Sequence, residues 1–244
     1  MRLSERLRMV ASMVPPTKTV ADIGCDHAYL SVWLLREGIA GFAYACDVRE
    51  GPLAKAAETI RFFHMQERAK TVLCDGLAGL SAGDAETIVM AGMGGELMTR
   101  LLTEGEACVR AAKCLVLQPQ SDREMVRRAV AAAGFVITDE QCVVEDGKFY
   151  LCMAAVPKEA APKAAAKAYA PWEYSYGRWL VRRKDETYLT HLTEECEKKI
   201  TMLTGLAKAG TPLAQERVDS AAMELKEIVG VMKRFFPKER RKEK

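Results

Sequence analysis

Short apolar runs alternate with longer amphipathic stretches over the first part of the chain. The apolar runs have the lengths of buried strands, and the stretches between them repeat their apolar positions at helical spacing. The predicted strands are residues 19–24, 42–48, 71–74, 87–91 and 114–117. The predicted helices are residues 3–14, 28–37, 52–65, 95–102 and 121–133. Such an alternation predicts a parallel sheet with helices on its faces.

The pattern changes after the helix over 121–133. That helix is expected to begin at Ser121, with Glu124 completing a capping box, and Gly134 ends it. Two strand-like runs follow, residues 135–144 and 149–156, joined by the sequence EDGK, whose Asp-Gly pair predicts a hairpin. A terminal hairpin gives the sheet an antiparallel edge. We therefore predict an α/β fold, a doubly wound Rossmann-like sheet of the class I methyltransferase type.

The C-terminal third has a different organisation. Residues 157–171 are rich in Pro, Ala and Lys and are predicted to link a cofactor-binding domain, residues 1–156, to a helical domain, residues 172–244. Two series of apolar residues at helical spacing, separated by the sequence GTP, predict an antiparallel coiled-coil hairpin. The positions are Leu189, Leu192, Cys196, Ile200, Leu203 and Leu206, then Val218, Ala222, Leu225, Ile228, Met232 and Phe235.

The charge of the chain is unevenly distributed. From Pro157 to Lys244 there are 19 Lys and Arg against 13 Asp and Glu, whereas the rest of the chain has 17 against 20. An acidic domain with a basic C-terminal part favours a polyanionic partner over a membrane. A solvated helical surface would have a similar charge balance.

Cysteine usage and the N-terminal segment predict where the protein works. None of the eight cysteines forms a CxxC pair, and most lie in apolar runs, so we expect reduced, buried thiols and no metal. The N-terminal segment carries charges and no apolar signal core, and no apolar run approaches the length of a membrane span. These features predict a cytoplasmic protein. Separately, we expect a monomer or a weak dimer.

The segment ADIGCDHAYL contains the most informative turn. A predicted strand ends at Gly24, and a helix begins within four residues. The glycine allows a ligand to approach the backbone at the carboxyl end of the strand. Asp26 and His27 stand where a dinucleotide fingerprint would have further glycines. A carboxylate there repels a pyrophosphate and suits a cationic ligand, which favours S-adenosylmethionine over NAD.

Polar or glycine-rich sites follow the other predicted strands. Asp47, with Val48 after it, is placed to accept hydrogen bonds from ribose hydroxyls. Asp75 and Gly76 follow the third strand, where methyltransferases hold the adenine of the cofactor. Gly92 and Met93 follow the fourth, and Gln118 lies at the end of the fifth. The predicted cofactor-binding residues are Gly24, Asp26, His27, Asp47, Val48, Asp75, Gly76, Gly92 and Met93.

Four segments occur in the order DIGCDHAYL, AGMGGELM, LQPQ and EDGKFY. With them the chain resembles, over nearly its whole length, the bacterial tRNA (adenine-N1)-methyltransferases that modify an adenine of the D-loop region. The resemblance implies S-adenosylmethionine as cofactor, tRNA as substrate and a C-terminal coiled-coil hairpin. Cys25 and Gln120 stand where the family usually has Ser and Asn.

A mechanism follows from this resemblance as a hypothesis. Methyl transfer to a ring nitrogen needs positioning more than a base, and Asp26 and Gln118 are the candidate catalytic residues. The AGMGG segment replaces the Asn/Asp-Pro-Pro-aromatic motif of enzymes that methylate exocyclic amines. Phosphate contacts are expected from basic side chains and the KERRKEK tail. The named candidates are Arg2, Arg6, Arg123, Arg127, Arg128, Arg182 and Arg183.

Three alternatives stay open at this point. The fold could methylate rRNA, a protein or a small molecule. The chain could also be a cofactor-binding module whose helical hairpin pairs with a protein partner, without catalysis. An NAD oxidoreductase is disfavoured by Asp26 and His27 in the first turn.

Overall fold

The structure is a computed structural model that describes residues 1–206 and 212–237. The chain divides into two compact units, Met1–Ala168 and Tyr169–Lys244. This division falls inside the segment predicted as a linker, residues 157–171.

A seven-stranded sheet forms the centre of the first unit. Its strands are β1 (Thr17–Ile23), β2 (Ala40–Asp47), β3 (Ala69–Leu73), β4 (Thr87–Met93), β5 (Cys114–Pro119), β6 (Phe135–Glu145) and β7 (Lys148–Pro157). They are arranged in the order β3-β2-β1-β4-β5-β7-β6. The first five strands are parallel, and β7 runs antiparallel to both of its neighbours. The predicted sheet with an antiparallel edge is confirmed.

Helices cover both faces of this sheet. They are α1 (Glu5–Ser12), α2 (Tyr29–Arg36), α3 (Glu50–Phe62), α4 (Gly95–Glu104), α5 (Glu106–Ala111) and α6 (Arg123–Ala132). The helices α1, α2 and α3 contact one another in turn, and α4 contacts both α5 and α6. The unit is therefore doubly wound, as predicted. The short helix α5 was not predicted.

The core explains why the strands appear as continuous apolar runs. Alternate residues point to opposite faces of a strand. Val20, Val89 and Val116 face the core beneath α1, α2 and α3, while their chain neighbours Ile88 and Leu115 are equally buried on the other face. A strand covered on both faces has no solvent side on which polar residues could recur.

The hairpin at the edge of the sheet has the predicted turn. Glu145 pairs with Lys148 in the register of β6 and β7, which leaves Asp146 and Gly147 as the two turn residues. Their φ angles are 50° and 71°. Two consecutive left-handed residues define the type I′ turn that Asp-Gly favours.

The predicted capping box at Ser121 is wrong. The cap of α6 is Asp122, with φ 50° and no side-chain cap hydrogen bond. The Ser121 hydroxyl instead accepts from the Gly95 N–H at 3.2 Å and donates to Asp122 Oδ2 at 2.6 Å. The side chain of Glu124 is paired with Arg128. Ser121 thus ties the β5–α6 loop to the start of α4.

The second unit is helical in its described part. It contains α7 (Pro171–Tyr176), α8 (Trp179–Arg183), α9 (Glu186–Leu206) and α10 (Pro212–Phe235). The last two pair in antiparallel fashion: Cys196 Sγ lies 3.8 Å from Met232 Sδ, and Lys199 forms an ion pair with Glu224. The predicted turn residues 210–211 and the KERRKEK tail, residues 238–244, lie outside the described residues.

Two of the positions predicted to be in the apolar contact between α9 and α10 are exposed. Ile200 was expected to be in the apolar contact but is 52% exposed. Ala222 is exposed, and its neighbour Ala221 is buried instead. Leu192, Cys196 and Ile228 are buried as predicted. Helical spacing alone does not determine which of two adjacent alanines faces the partner helix.

The eight cysteines are free thiols, five of them buried and three half-buried. Burial raises the pKa of the Cys25, Cys46 and Cys152 thiols far above the ordinary value, which keeps them protonated and unreactive. In the described ranges of the chain, no helix is long and apolar enough to cross a membrane.

Candidate active site

A cavity of about 700 Å³ opens at the carboxyl ends of the parallel strands. It is bounded by the residues that follow β1, β2, β3 and β4, together with side chains from α1 and α4. All of the predicted cofactor-binding residues line it: Gly24, Asp26, His27, Asp47, Val48, Asp75, Gly76, Gly92 and Met93. Sites that are far apart in the sequence meet here because parallel strands present their carboxyl ends at one edge.

The loop after β1 is held in a conformation that leaves its backbone open to the cavity. Gly24 has φ 71°, and the backbone N–H groups of Gly24 and Cys25 donate to the Cys46 carbonyl at 2.8 and 3.0 Å. A Cβ at Gly24 would lie 2.5 Å from Met93 Cε. Asp26 and Ala28 also have positive φ, 50° and 55°. The backbone angle therefore favours glycine at position 24, and an added Cβ would displace the end of the Met93 side chain.

Asp22 is a cavity residue that the sequence interpretation did not single out. Its side chain is buried, and its Oδ2 accepts a hydrogen bond from the Ser31 hydroxyl at 2.7 Å. Burial raises the pKa of Asp22 to about 6, despite the opposing effect of Ser31, and the charge of Asp47 adds to the rise. A signal for this residue exists in the sequence, because Asp22 interrupts an apolar strand two positions before Gly24.

Asp47 lies at the end of β2 with its carboxylate 5% exposed. Its Oδ1 accepts from the Arg49 N–H at 2.9 Å, and the Arg49 guanidinium lies 3.7 Å away. The next residue, Val48, is 60% exposed and lines the cavity. This arrangement places a fixed acceptor beside an exposed apolar side chain.

Asp75 is held by a residue that the sequence interpretation missed. Arg100 of α4 donates to both carboxylate oxygens of Asp75, at 3.0 and 3.1 Å, and also pairs with Glu104. The hydrogen bond to Asp75 is the largest cause of a raised Arg100 pKa. Arg100 orients the carboxylate after β3 and occupies part of its acceptor capacity.

The mouth of the cavity carries aromatic and apolar groups. The rings of His27 and Tyr29 are stacked, 5.5 Å apart between centroids and 8° from parallel. Tyr29 is 45% exposed, and Leu97 is 41% exposed. His27 Nε2 lies 3.8 Å from Asp26 Oδ2. These groups form an exposed rim next to the acidic interior.

Gln118 does not reach the cavity, contrary to the prediction of a catalytic role there. Its side chain is fully buried behind the strand ends, with Oε1 accepting from Arg6 Nη1 at 2.9 Å. Arg6, predicted to contact RNA, lines the cavity, as does the exposed Gln120. Gln118 lies within β5, whose residues are all buried, whereas Gln120 follows the last residue of the strand and is exposed.

The predicted RNA-binding arginines of the first unit have different environments, and the prediction for Arg127 is wrong. Arg127 is 1% exposed and donates to Glu140 at 2.9 Å, so it is part of the core between α6 and β6. The adjacent Arg128 is 55% exposed and pairs with Glu124. Arg2 is exposed, and Arg123 lies over the ring of Phe149.

In the second unit, Arg182 and Arg183 are both exposed on α8. Arg182 pairs with the buried Glu173 at 2.8 Å, and Arg178 pairs with the same carboxylate. Arg182 is therefore anchored by an internal ion-pair network of this unit.

The cavity fits S-adenosylmethionine by the chemistry of its walls. Its volume is within the range of small-molecule sites. Asp22, Asp26, Asp47 and Asp75 offer acceptors, and the groups that this cofactor presents to a protein, an ammonium, ribose hydroxyls and an adenine amine, are donors. The open backbone at Gly24 lets a ligand approach closely.

Comparison with known proteins agrees with this site. Residues 3–153, more than half of the chain, match the family described as the methyltransferase domain. The tRNA (adenine(22)-N(1))-methyltransferase of Bacillus subtilis is 29% identical over 213 residues, which cover 86% of this chain and 87% of that protein.

Solved structures give the same result. The crystal structure of the B. subtilis M1A22 tRNA methyltransferase TrmK has a TM-score of 0.83 at 25% identity and covers 95% of this chain and 99% of that one. A candidate tRNA (m1A22) methyltransferase of Streptococcus pneumoniae, solved in complex with S-adenosyl-L-methionine, has a TM-score of 0.82 at 28% identity, covering 95% and 100%. This chain therefore belongs to the methyltransferase-domain family and, within it, is a relative of the tRNA (adenine-N1)-methyltransferases.

Proposed function

We propose that this protein is an S-adenosylmethionine-dependent methyltransferase that transfers a methyl group to N1 of an adenine in tRNA. The observation that carries the proposal is that residues at the ends of four adjacent strands line one cavity. These residues are Gly24, Asp47, Asp75 and Gly92. The named activities of the Bacillus subtilis relative and of TrmK support the same substrate.

Each acidic residue would hold a different part of the cofactor. Asp47, with one oxygen already fixed by the Arg49 N–H, is placed to accept from ribose hydroxyls. Asp75, oriented by Arg100, would accept from the adenine end. Asp22 and Asp26 would surround the ammonium group. The cofactor supplies a methyl group bonded to a sulfonium.

The contribution of the protein to the reaction is positioning and electrostatics. Adenine N1 has a free lone pair, so no residue needs to remove a proton before transfer. Gly92 has φ 80° and no side chain, and together with Met93 it lets the target ring approach the end of β4. The exposed carboxylate of Asp26 would stabilise the positive charge that the ring acquires. The target base must first leave its stack.

We assign tRNA contacts to arginines of both units that are exposed or, in the case of Arg123, half-buried. Arg2, Arg123 and Arg128 belong to the first unit, and Arg182 and Arg183 to the second. Such residues would bind phosphates without reading sequence. The proposal includes a cytoplasmic location and a monomer or weak dimer.

The test is to identify the methylated nucleoside. The purified full-length protein is incubated with S-adenosylmethionine and unmodified tRNA transcripts, and digested products are separated by mass spectrometry. We expect 1-methyladenosine, at one position, that disappears when the target adenine is replaced by guanine. Methylation of rRNA or protein instead would contradict the substrate, and cofactor binding without any turnover would contradict catalysis.

Asp47→Ala should weaken binding of the demethylated cofactor by about tenfold or more.

A further inference from the structure

Arg6 enters the cavity from a different direction than the residues at the strand ends. It belongs to α1, which packs against β6 and also contacts β5 and β7. Its guanidinium carbon lies 5.6 Å from the centroid of the Tyr150 ring. Its Nη1 donates to Gln118 Oε1 at 2.9 Å. Because Gln118 is completely buried, its carbonyl is a fixed acceptor that determines where the guanidinium lies.

Arg6 differs from the other arginines of the cavity in its partners. Arg49 pairs with Asp47, and Arg100 pairs with Asp75. Within the part of the chain that the structure describes, Arg6 has no carboxylate at ion-pair distance, and Gln118 is its one hydrogen-bond acceptor. A guanidinium carries five N–H donors. The remaining donors and the positive charge are therefore available to a ligand.

The position of Arg6 relative to the sheet indicates which ligand. The carboxylates Asp75, Asp47 and Asp22 belong to the consecutive strands β3, β2 and β1. Arg6 instead lies at the other end of the cavity, near β4 and β5. A Cβ built on Gly92 at the end of β4 would lie 3.4 Å from Arg6 Nη1. The hydrogen-bond partner of Arg6, Gln118, is in β5. The cavity is thus acidic where a cationic cofactor fits and basic towards β5 and β7.

We propose that Arg6, oriented by Gln118 and Tyr150, binds a phosphate oxygen of the target nucleotide when its adenine is in the cavity. This inference rests on the proposed function. A phosphate fits better than the target ring itself, because methylation gives the ring a positive charge that a guanidinium would repel. It also fits better than the carboxylate of the cofactor, because that group shares a carbon with the ammonium that the acidic end attracts. Gln118 is then a positioning residue that acts through Arg6.

The first test compares Arg6→Ala with Arg8→Ala. Arg8 is on the same helix but is half-exposed and paired with Glu5, so it is a control of equal charge outside the cavity. For Arg6→Ala, we expect tRNA to bind about tenfold more weakly. The slope of log K for tRNA binding against log salt concentration should become shallower by about 0.7 to 0.9. Calorimetry with the demethylated cofactor should give a dissociation constant within twofold of wild type. Arg8→Ala should change none of these quantities by as much.

Two results would overturn the inference. If Arg6→Ala weakens binding of the demethylated cofactor and leaves tRNA affinity and its salt dependence unchanged, Arg6 holds the carboxylate of the cofactor. If neither ligand is affected, Arg6 has a structural role only. Should Arg6→Ala fail to fold, Arg6→Lys replaces it: the charge is kept, so the salt slope should stay while tRNA affinity falls by about threefold or more, because an ammonium lacks the planar fork of donors.

The role of Gln118 is tested by Gln118→Met, which removes the acceptor at similar volume. We expect a higher KM for tRNA and a lower kcat with an unchanged salt slope, because the charge of Arg6 is retained. In the Arg6→Ala background, Gln118→Met should have no further effect on tRNA affinity. Additive losses in the double variant would show that Gln118 does not act through Arg6.

These experiments separate this inference from the proposed function. Binding of tRNA and of the demethylated cofactor is measured without turnover. If the wild type binds both ligands but forms no 1-methyladenosine, the proposed reaction is wrong, and Arg6 is still judged by the affinity and salt slope of its variants.

Discussion

Two residues of the cavity show how a single side chain, or its absence, sets the properties of the site. Gly24 leaves space that a methyl group would take from Met93, and Asp22 carries a carboxylate into a buried position beside Ser31. Both features are local in sequence, but each acquires its effect from a residue on another element. Their consequences can be measured separately, one in cofactor affinity and one in the pH dependence of stability.

Gly24 and Gly38 form a matched pair for substitution by alanine. Both have a left-handed backbone, with φ 71° and 70°, so each alanine should cost about 1 kcal/mol of stability. A Cβ at Gly38 meets no atom within 4 Å, whereas at Gly24 it meets Met93. We expect only Gly24→Ala to weaken binding of S-adenosylmethionine, by about tenfold or more, because the added methyl group displaces Met93 in the cavity wall. Thermal unfolding and calorimetry measure the two effects, and equal affinity in both variants would contradict the assignment of this loop.

Asp22 should make the stability of the protein depend on pH. Its pKa is raised by burial to about 6, so the folded state holds the proton more tightly than the unfolded state, and stability falls as pH rises towards and through 6. Between pH 5 and 8 the wild type should lose about 1 kcal/mol relative to Asp22→Asn, whose amide does not titrate. Denaturant unfolding at the two pH values gives the difference. A variant that follows the wild-type slope would show that Asp22 is ionised throughout.

At the scale of elements, the contact between α6 and β6 depends on a buried ion pair. Arg127 and Glu140 are each 1% exposed and 2.9 Å apart, while Arg128, one residue along the helix, is 55% exposed. The two arginines have opposite roles because consecutive residues of a helix face different directions. The first fixes α6 on the edge of the sheet, and the second is one of the residues proposed to contact tRNA.

We expect Arg127→Ala to lower the free energy of unfolding by about 3 to 5 kcal/mol, because Glu140 would be left charged and buried. Arg128→Ala should cost less than about 0.5 kcal/mol, since its pair with Glu124 is exposed. Chemical denaturation of the two variants measures both values. Similarly small losses in both variants would show that removing Arg127 leaves no uncompensated buried charge.

At the scale of the whole molecule, an acidic cavity is combined with a basic C-terminal part on one chain. The chain from Pro157 onwards has six more basic than acidic residues, and the rest has three fewer. This separation suits an enzyme that must bind a cationic cofactor and a polyanionic substrate at the same time. The second unit would then contribute to tRNA affinity rather than to chemistry.

Replacing Arg182 and Arg183 together by alanine should weaken tRNA binding and flatten its salt dependence by about one to two units of slope. Glu173 keeps Arg178 as its partner, so the unit should stay folded. Arg110→Ala is the control: this residue of α5 in the first unit is 71% exposed, pairs with Glu106, and is not among the assigned tRNA contacts. Binding titrations at several salt concentrations decide the question, and unchanged slopes would exclude α8 from the interface.

The amino-acid sequence by itself determined the architecture and most of the cofactor site. Strand and helix periodicities, the Asp-Gly turn and the glycines after β1 and β4 act over a few residues, and the carboxyl ends of parallel strands must then meet at one edge. Only the tertiary structure decided which polar side chains enter the cavity. Arg127 and Arg128 are neighbours of the same residue type, as are Gln118 and Gln120 in the QPQ segment, and which member of each pair becomes buried depends on elements packed against them from distant parts of the chain. Arg6 comes to the cavity, and Asp22 acquires its raised pKa, for the same reason.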